Sequence, residues 1–404
     1  MFTSQFRTRA VSALRVLAAG GLTFLAACND AKNATSLAAA TDPSFALDTR
    51  TTVDCTKATQ NPAKVVCLAN AFKATLTTTQ LATLQQAYTA SNATRWSNLP
   101  TNLVSRLGVK FSSLNAAQQA AALNLAKAAL STAGYTTFQS IRAADTYLHQ
   151  NQGAGGGTPP IGGTPPGGGT PPDSTRPPGG GPGGGTLAFG DSLYYVAFLG
   201  APSTTGPWIL KIDGHHLAIN LHYNGTQTPT ATPNFVGIEP QVFTLNGVTY
   251  TPLQSRKVAM YTMINSLNAV QLAGATLGTS FSDVLLGPGQ DGKFPAHQGL
   301  RVSSLSAAQQ QLVKNAIEEW VKLQPTVEAN NLLATYEDPS ALAQTYIASS
   351  GGRDSTKQGS YIRIDGPRVW IEFVCQNGIV FQSQIHFHTI WRDRQQDYGG
   401  DFTF

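Results

Sequence analysis

The sequence predicts an α+β fold in which an antiparallel sheet packs with two related helical halves. Three observations predict it: alternating, β-branched and aromatic segments between 193 and 391, turn chemistry between them, and a helical motif that occurs twice at one spacing. GVKFSSLNAAQQ from Gly108 matches GLRVSSLSAAQQ from Gly299, and each has a shorter relative before it, LTTTQL at Leu76 and LNAVQL at Leu267, with 38 residues from Leu76 to Leu114 and 38 from Leu267 to Leu305. Agreement in both motif and spacing points to an internal repeat, 76–133 and 267–323.

In chain order, residues 1–27 carry Arg7, Arg9 and Arg15, no acid, and an apolar run that closes in Leu25-Ala-Ala-Cys28. That is the pattern of a lipoprotein signal peptide, so Cys28 is expected to be lipidated and the chain exported to the cell envelope, periplasmic or outer-membrane, tethered to a membrane through its lipid anchor. Without the signal, Lys+Arg falls from 27 to 24 against 22 acids and the formal charge from +5 to +2. No basic stripe interleaved with aromatics remains, so nucleic acid is not an expected partner.

Residues 28–60, rich in Ala, Thr, Asn and Asp, read as a flexible tether. In an oxidising compartment Cys55 and Cys67 can close one small loop, which leaves Cys375 on an apolar strand as a buried small hydrophobe. Residues 61–150 read as a helical first half. Thr77, Asn115, Asn268 and Ser306 are each followed three residues on by glutamine, the capping-box start of a helix. The Gly/Pro/Thr-rich stretch 151–186 (GGTPPIGGTPPGGGTPP) reads as a disordered linker. If the two halves pack together, it is an excursion within one body and not a hinge.

Residues 187–404 are expected to form the α+β body. Its strands are LYYVAFLG (193–200), PWILKID (207–213), HHLAINLHY (215–223), YIRIDGPRVWIEFVC and GIVFQSQIHFHTIW, and it also holds the second helical half. In a strand, side chains two apart share a face, so the spacing predicts His216, Ala218, Asn220 and His222 on one side, with His386 and His388 sharing a face of another strand. Two strands offering imidazoles at this spacing can close a metal site, although a strand histidine is more often hydrogen-bonded than metal-bound. His149 and His297 read as loop residues. Glu372 sits among large apolar neighbours and requires a partner such as Arg363, Arg368 or a cation. Gly190-Asp-Ser-Leu193 has the look of a hydrolase nucleophile block, but a strand follows where those enzymes place a helix, and no oxyanion-hole motif comes after it.

The ordered set DGHHLAIN, TPNFVGIEP, GPG before the second repeat, YIRIDGPRVWIEF, IHFHTIWRD and DYGGDF resembles the bacterial and fungal family of domain of unknown function 3500, from about Cys67 to Phe404. The resemblance implies no activity. Its motif positions fall on His215, His216, Asn220, Glu372, His386, His388, Trp391, Arg392 and Asp393, and His222 lies outside the pattern.

Residues and resemblance together give the expectation of a lipid-anchored, metal-dependent enzyme, a hydrolase or an oxidoreductase, using Zn, Cu or Fe. His215, His216, His386 and His388 are the candidate ligands. Glu372, Arg392 and Asp393 are the candidate catalytic groups, and Asn220, Arg368 and Trp391 the candidate contacts to a small-molecule substrate. The competing expectation is a non-catalytic lipoprotein that binds a ligand at the surface.

Overall fold

Helix starts are set locally, and the side chains of Thr77, Asn115, Asn268 and Ser306 each accept the backbone N–H of the glutamine three residues on, while that glutamine bonds back. The computed structural model describes residues 54–58, 61–152 and 187–404; the expected signal peptide, Cys28, most of the expected tether and nearly all of the expected linker lie outside them. The helices that position the site are α1 (Asn61–Ala74), α2 (Thr78–Leu84), α3 (Ala116–Ala129), α4 (Thr132–Asn151), α5 (Gln254–Asn265), α6 (Ala269–Ala275), α7 (Ala307–Val321) and α8 (Thr326–Tyr336). None of the described helices is long and apolar enough to cross a membrane.

The capping glutamines also lock helix to helix. Gln118 Nε2 donates to Gln80 Oε1 at 3.0 Å and to Thr75 O at 2.8 Å; Gln309 Nε2 donates to Gln271 Oε1 at 2.8 Å and to Ser266 O at 2.9 Å.

Eight main strands follow: β1 (Tyr195–Leu199), β2 (Pro207–Gly214), β3 (Leu217–Asn224), β4 (Asn234–Ile238), β5 (Tyr346–Ser350), β6 (Tyr361–Asp365), β7 (Val369–Asn377) and β8 (Ile385–Asp393). They form one mostly antiparallel sheet in the order β1-β2-β3-β4-β8-β7-β6-β5, lengthened at its edges by the short strands Gln85–Gln86, Val109–Lys110 and Leu300–Arg301. Because Val109–Lys110 pairs with β1, the residues before and after the linker share one sheet. A disulfide joins Cys55 to Cys67 on α1, and Cys375 is a buried free thiol pushed up to about 11 by burial.

The two faces of the sheet are covered differently. Val196, Leu210, Ile219, Val236, Phe387 and Phe373 face the helices in one apolar cluster. The opposite face carries Lys211, Asp213, Asn220, His222, His386, His388, Arg392, Glu372, Arg363 and Asp365, all buried. Irregular segments around Trp96, Leu285 to Asp291 and Tyr398 lie over this face. A loop has no ladder to satisfy its own N–H and C=O groups, so a loop-covered sheet face needs polar side chains to bond them.

Candidate metal centre

The turn between β2 and β3 is only two residues long, His215 and His216, since Gly214 pairs with Leu217. This corrects the expected strand 215–223, which begins at Leu217. His216 reaches the site from a turn, and strand alternation does not place it on the face of Asn220 and His222. Its φ of +56° is uncommon for a side-chain-bearing residue and is held by two bonds, His216 N–H to Asn98 O (3.1 Å) and Gly237 N–H to His216 O (2.8 Å).

His386 and His388 point from β8 to the loop-covered face. Together with His216 they form a buried group whose candidate donor atoms lie within 4.8 Å of one another. Gly237, paired with His388 on β4, makes room for them. A Cβ there would sit 2.9 Å from both His216 Cδ2 and His388 Cδ2.

The tautomers follow from the partners. Asn377 O, 2.8 Å from His386 Nδ1, can only accept, so Nδ1 carries the proton and His386 Nε2 presents a bare lone pair. Asp283 Oδ1, 2.8 Å from His388 Nδ1, likewise accepts from that nitrogen and so places a proton on it. Although burial opposes it, His388 holds the Asp283 carboxyl below its ordinary value, which keeps it an acceptor. The two Nε2 atoms stand 3.1 Å apart.

Burial keeps His386 and His216 from charging readily. Burial, reinforced by His388, pushes His386 down to about 3, and burial with His215, His388 and His386 holds His216 well below its ordinary value. With a proton on neither Nε2 the two lone pairs face each other, and a cation between them turns that repulsion into attraction. A tetrahedral ion with bonds of about 2.0–2.1 Å places its donors about 3.4 Å apart, close to the separation found.

His215 stands beside this group and not within it. Its Nδ1 bonds Asp145 Oδ1 on α4 at 2.7 Å, and its ring stacks on His216 at 3.8 Å between centroids. His222 bonds Asp401 at 3.0 Å, away from the triad. His149 lies on α4, not in a loop, and His297 bonds Asp365 at 2.8 Å.

The remaining candidates sit on the sheet with other partners. Glu372 accepts from Leu285 N, Leu286 N, Tyr361 Oη and Trp370 Nε1, four donors for the four lone-pair positions of a carboxylate. Arg392 donates to Leu286 O, Gly287 O, Asp291 and Asp397. Asp393 takes both ends of Arg368 and the Tyr336 hydroxyl. Asn220 bonds Lys211 and Pro233 O, and Trp391 is fully buried on the helix face. None of these hydrogen bonds runs to a triad histidine.

Asp283, Asn377, Gly237 and Asp145 went unnoticed in the sequence, being ordinary residue types 105, 9, 151 and 70 positions from the histidines they serve. The TPNFVGIEP segment alone hinted at Gly237, as a glycine inside a strand pattern. A family model described as protein of unknown function (DUF3500) matches residues 58–400. No curated protein and no solved structure matches the chain.

Proposed function

The chain belongs to the DUF3500 family, membership that brings no activity with it, and from the site we propose a metal-dependent enzyme whose ligands are His216, His386 and His388. The observation that carries this reading is the 3.1 Å approach of two Nε2 atoms whose Nδ1 partners are both acceptors. Imidazoles oriented by a carboxylate or a carbonyl through the other ring nitrogen are the usual outer shell of a metal site.

An all-nitrogen set suits zinc, copper or iron. Three neutral ligands leave the ion's charge undiminished and one position open, which favours activation of a bound water and hence hydrolysis. In this reading Glu372, Arg392 and Asp393 act as pins that hold the covering loops over the sheet, and His215 with Asp145 backs the His216 ring.

The near-complete burial of the triad, 2–6% exposed, favours a second reading, a ligand-binding protein in which the same groups recognise without turnover. Hydrolytic and oxidative substrate panels run on the metal-loaded protein, wild type and His386→Ala, separate the two. Turnover lost in His386→Ala with the fold intact supports the enzyme. Ligand affinity lost with no turnover in either protein supports the binder.

Export and a lipid anchor on Cys28 belong to the same proposal. They rest on the Arg-headed apolar segment closing in Leu-Ala-Ala-Cys and on a Cys55–Cys67 disulfide that suits an oxidising compartment. Palmitate labelling that disappears in Cys28→Ser tests the anchor.

We also infer that the two halves are copies of one unit. Supporting this, Lys211-Ile-Asp-Gly in the β2–β3 hairpin and Arg363-Ile-Asp-Gly in the β6–β7 hairpin occupy the same register. Lys211 faces Asn220 as Arg363 faces Glu372, and Asp213 faces Ala218 as Asp365 faces Trp370. The metal ligands then come from both copies, His216 from the first and His386 and His388 from the second.

A further inference from the structure

Lys211 is completely buried on β2, directly opposite Asn220 on β3. Its Nζ donates to Asn220 Oδ1 at 2.5 Å and to Ala93 O at 3.0 Å, with Asp213 Oδ2 at 3.7 Å. Two donated bonds match the two hydrogens of a neutral amine. For the third N–H of an ammonium, Asp213 Oδ2 at 3.7 Å lies beyond hydrogen-bond distance.

Asp213 is the second anomaly. It is 1% exposed, and neither carboxyl oxygen has a hydrogen-bond partner. A buried carboxylate in that position is costly, whereas a carboxylic acid is much less so. Burial lowers Lys211 and raises Asp213, each against the attraction between them. Asn220 is oriented by Nδ2–H donation to Pro233 O at 2.8 Å. Lys211 Nζ, a fixed carboxamide and a buried carboxyl group thus share one water-excluded site, the arrangement an amide exchange requires.

We propose that Lys211 and Asn220 become joined by an intramolecular isopeptide bond, with Asp213 as the proton-transfer group. Lys211 Nζ attacks Asn220 Cγ; the Nζ–Cγ bond forms and the Cγ–Nδ2 bond breaks. Asp213 delivers a proton to Nδ2 and recovers one from Nζ, so the nitrogen leaves as ammonia and Asp213 is regenerated. No oxidant or cofactor is consumed. The product welds β2 to β3 just behind the turn that carries His215 and His216.

The second hairpin supplies an internal contrast. Arg363 and Glu372 occupy the matching register, but a guanidinium is no nucleophile at neutral pH, and Glu372 is saturated by its four donors. The bond is therefore confined to the first hairpin. The proposal does not rest on the metal reading.

Peptide mapping of the full-length protein after denaturation tests it. The expected result is a branched peptide linking the Lys211 and Asn220 segments, lighter than its two parts by one ammonia, with no tryptic cleavage after Lys211. Recovery of Lys211 in the wild type as a free amine cleaved by trypsin overturns the proposal, and this readout needs no variant to fold. In Lys211→Arg the two peptides separate at full mass. Asp213→Asn is expected to leave most chains unlinked, and complete linkage in that variant overturns the assignment of Asp213.

Discussion

At the scale of single residues the site depends on who holds each ring. Gly237 touches no ion in this account, yet a methyl group there overlaps two of the three imidazoles. Gly237→Ala is expected to weaken metal binding by at least tenfold while the circular dichroism spectrum stays native; calorimetric titration with zinc checks it. Glu372→Gln removes the charge that four donors surround and turns an N–H group toward some of them. By the cost of breaking buried charge-assisted bonds it should destabilise by about 3 kcal/mol in urea unfolding, whatever it does to turnover. The two histidines of H-x-H were legible because strand alternation fixes their shared face. His216 lies with them, but a two-residue turn and not the expected strand presents it. Asp283, Asn377 and Asp145 were illegible because nothing local distinguishes a carboxylate or carbonyl that orients a ring from any other on the surface.

At the scale of elements the helices were the most legible part, because a capping box is written within four residues. Asn115 is expected to contribute about 1 kcal/mol through its cap, so Asn115→Ala should lower stability by that much. The same substitution should leave the Gln80–Gln118 amide pair in place, since the Gln118 side chain accepts from the Asn115 backbone N–H, which alanine keeps. A double-mutant cycle of Asn115→Ala, Gln80→Ala and the two together checks it, with the two losses expected to add. The strands were legible in place, but not the asymmetry of the sheet. The buried charges in YIRIDGPRVWIEF and HFHTIWRD look like reacting groups while the cover is unknown. Once loops are seen over that face, bonding of loop backbone by Glu372 and Arg392 accounts for them.

At the scale of the molecule, the Gly/Pro/Thr-rich stretch interrupts one body. Its flanks meet, with Gln152 Nε2 donating to Leu187 O at 2.9 Å, and Val109–Lys110 pairs with β1 across it. Replacing residues 153–186 with a short Gly-Ser bridge is therefore expected to leave the melting temperature and metal binding essentially unchanged; scanning calorimetry checks it. The two matched motifs at one spacing point to this organisation in the sequence, whereas composition alone argues for two separate domains. The central claim is that His216, His386 and His388 meet around one ion. Elemental analysis of the protein purified without chelator, then dialysed against zinc, copper, iron or manganese, measures it most directly. The account predicts one equivalent of a transition metal per chain, lost in His386→Ala and in His216→Ala. A wild-type protein that retains none of these metals, and shows no thermal shift with any of them, contradicts it.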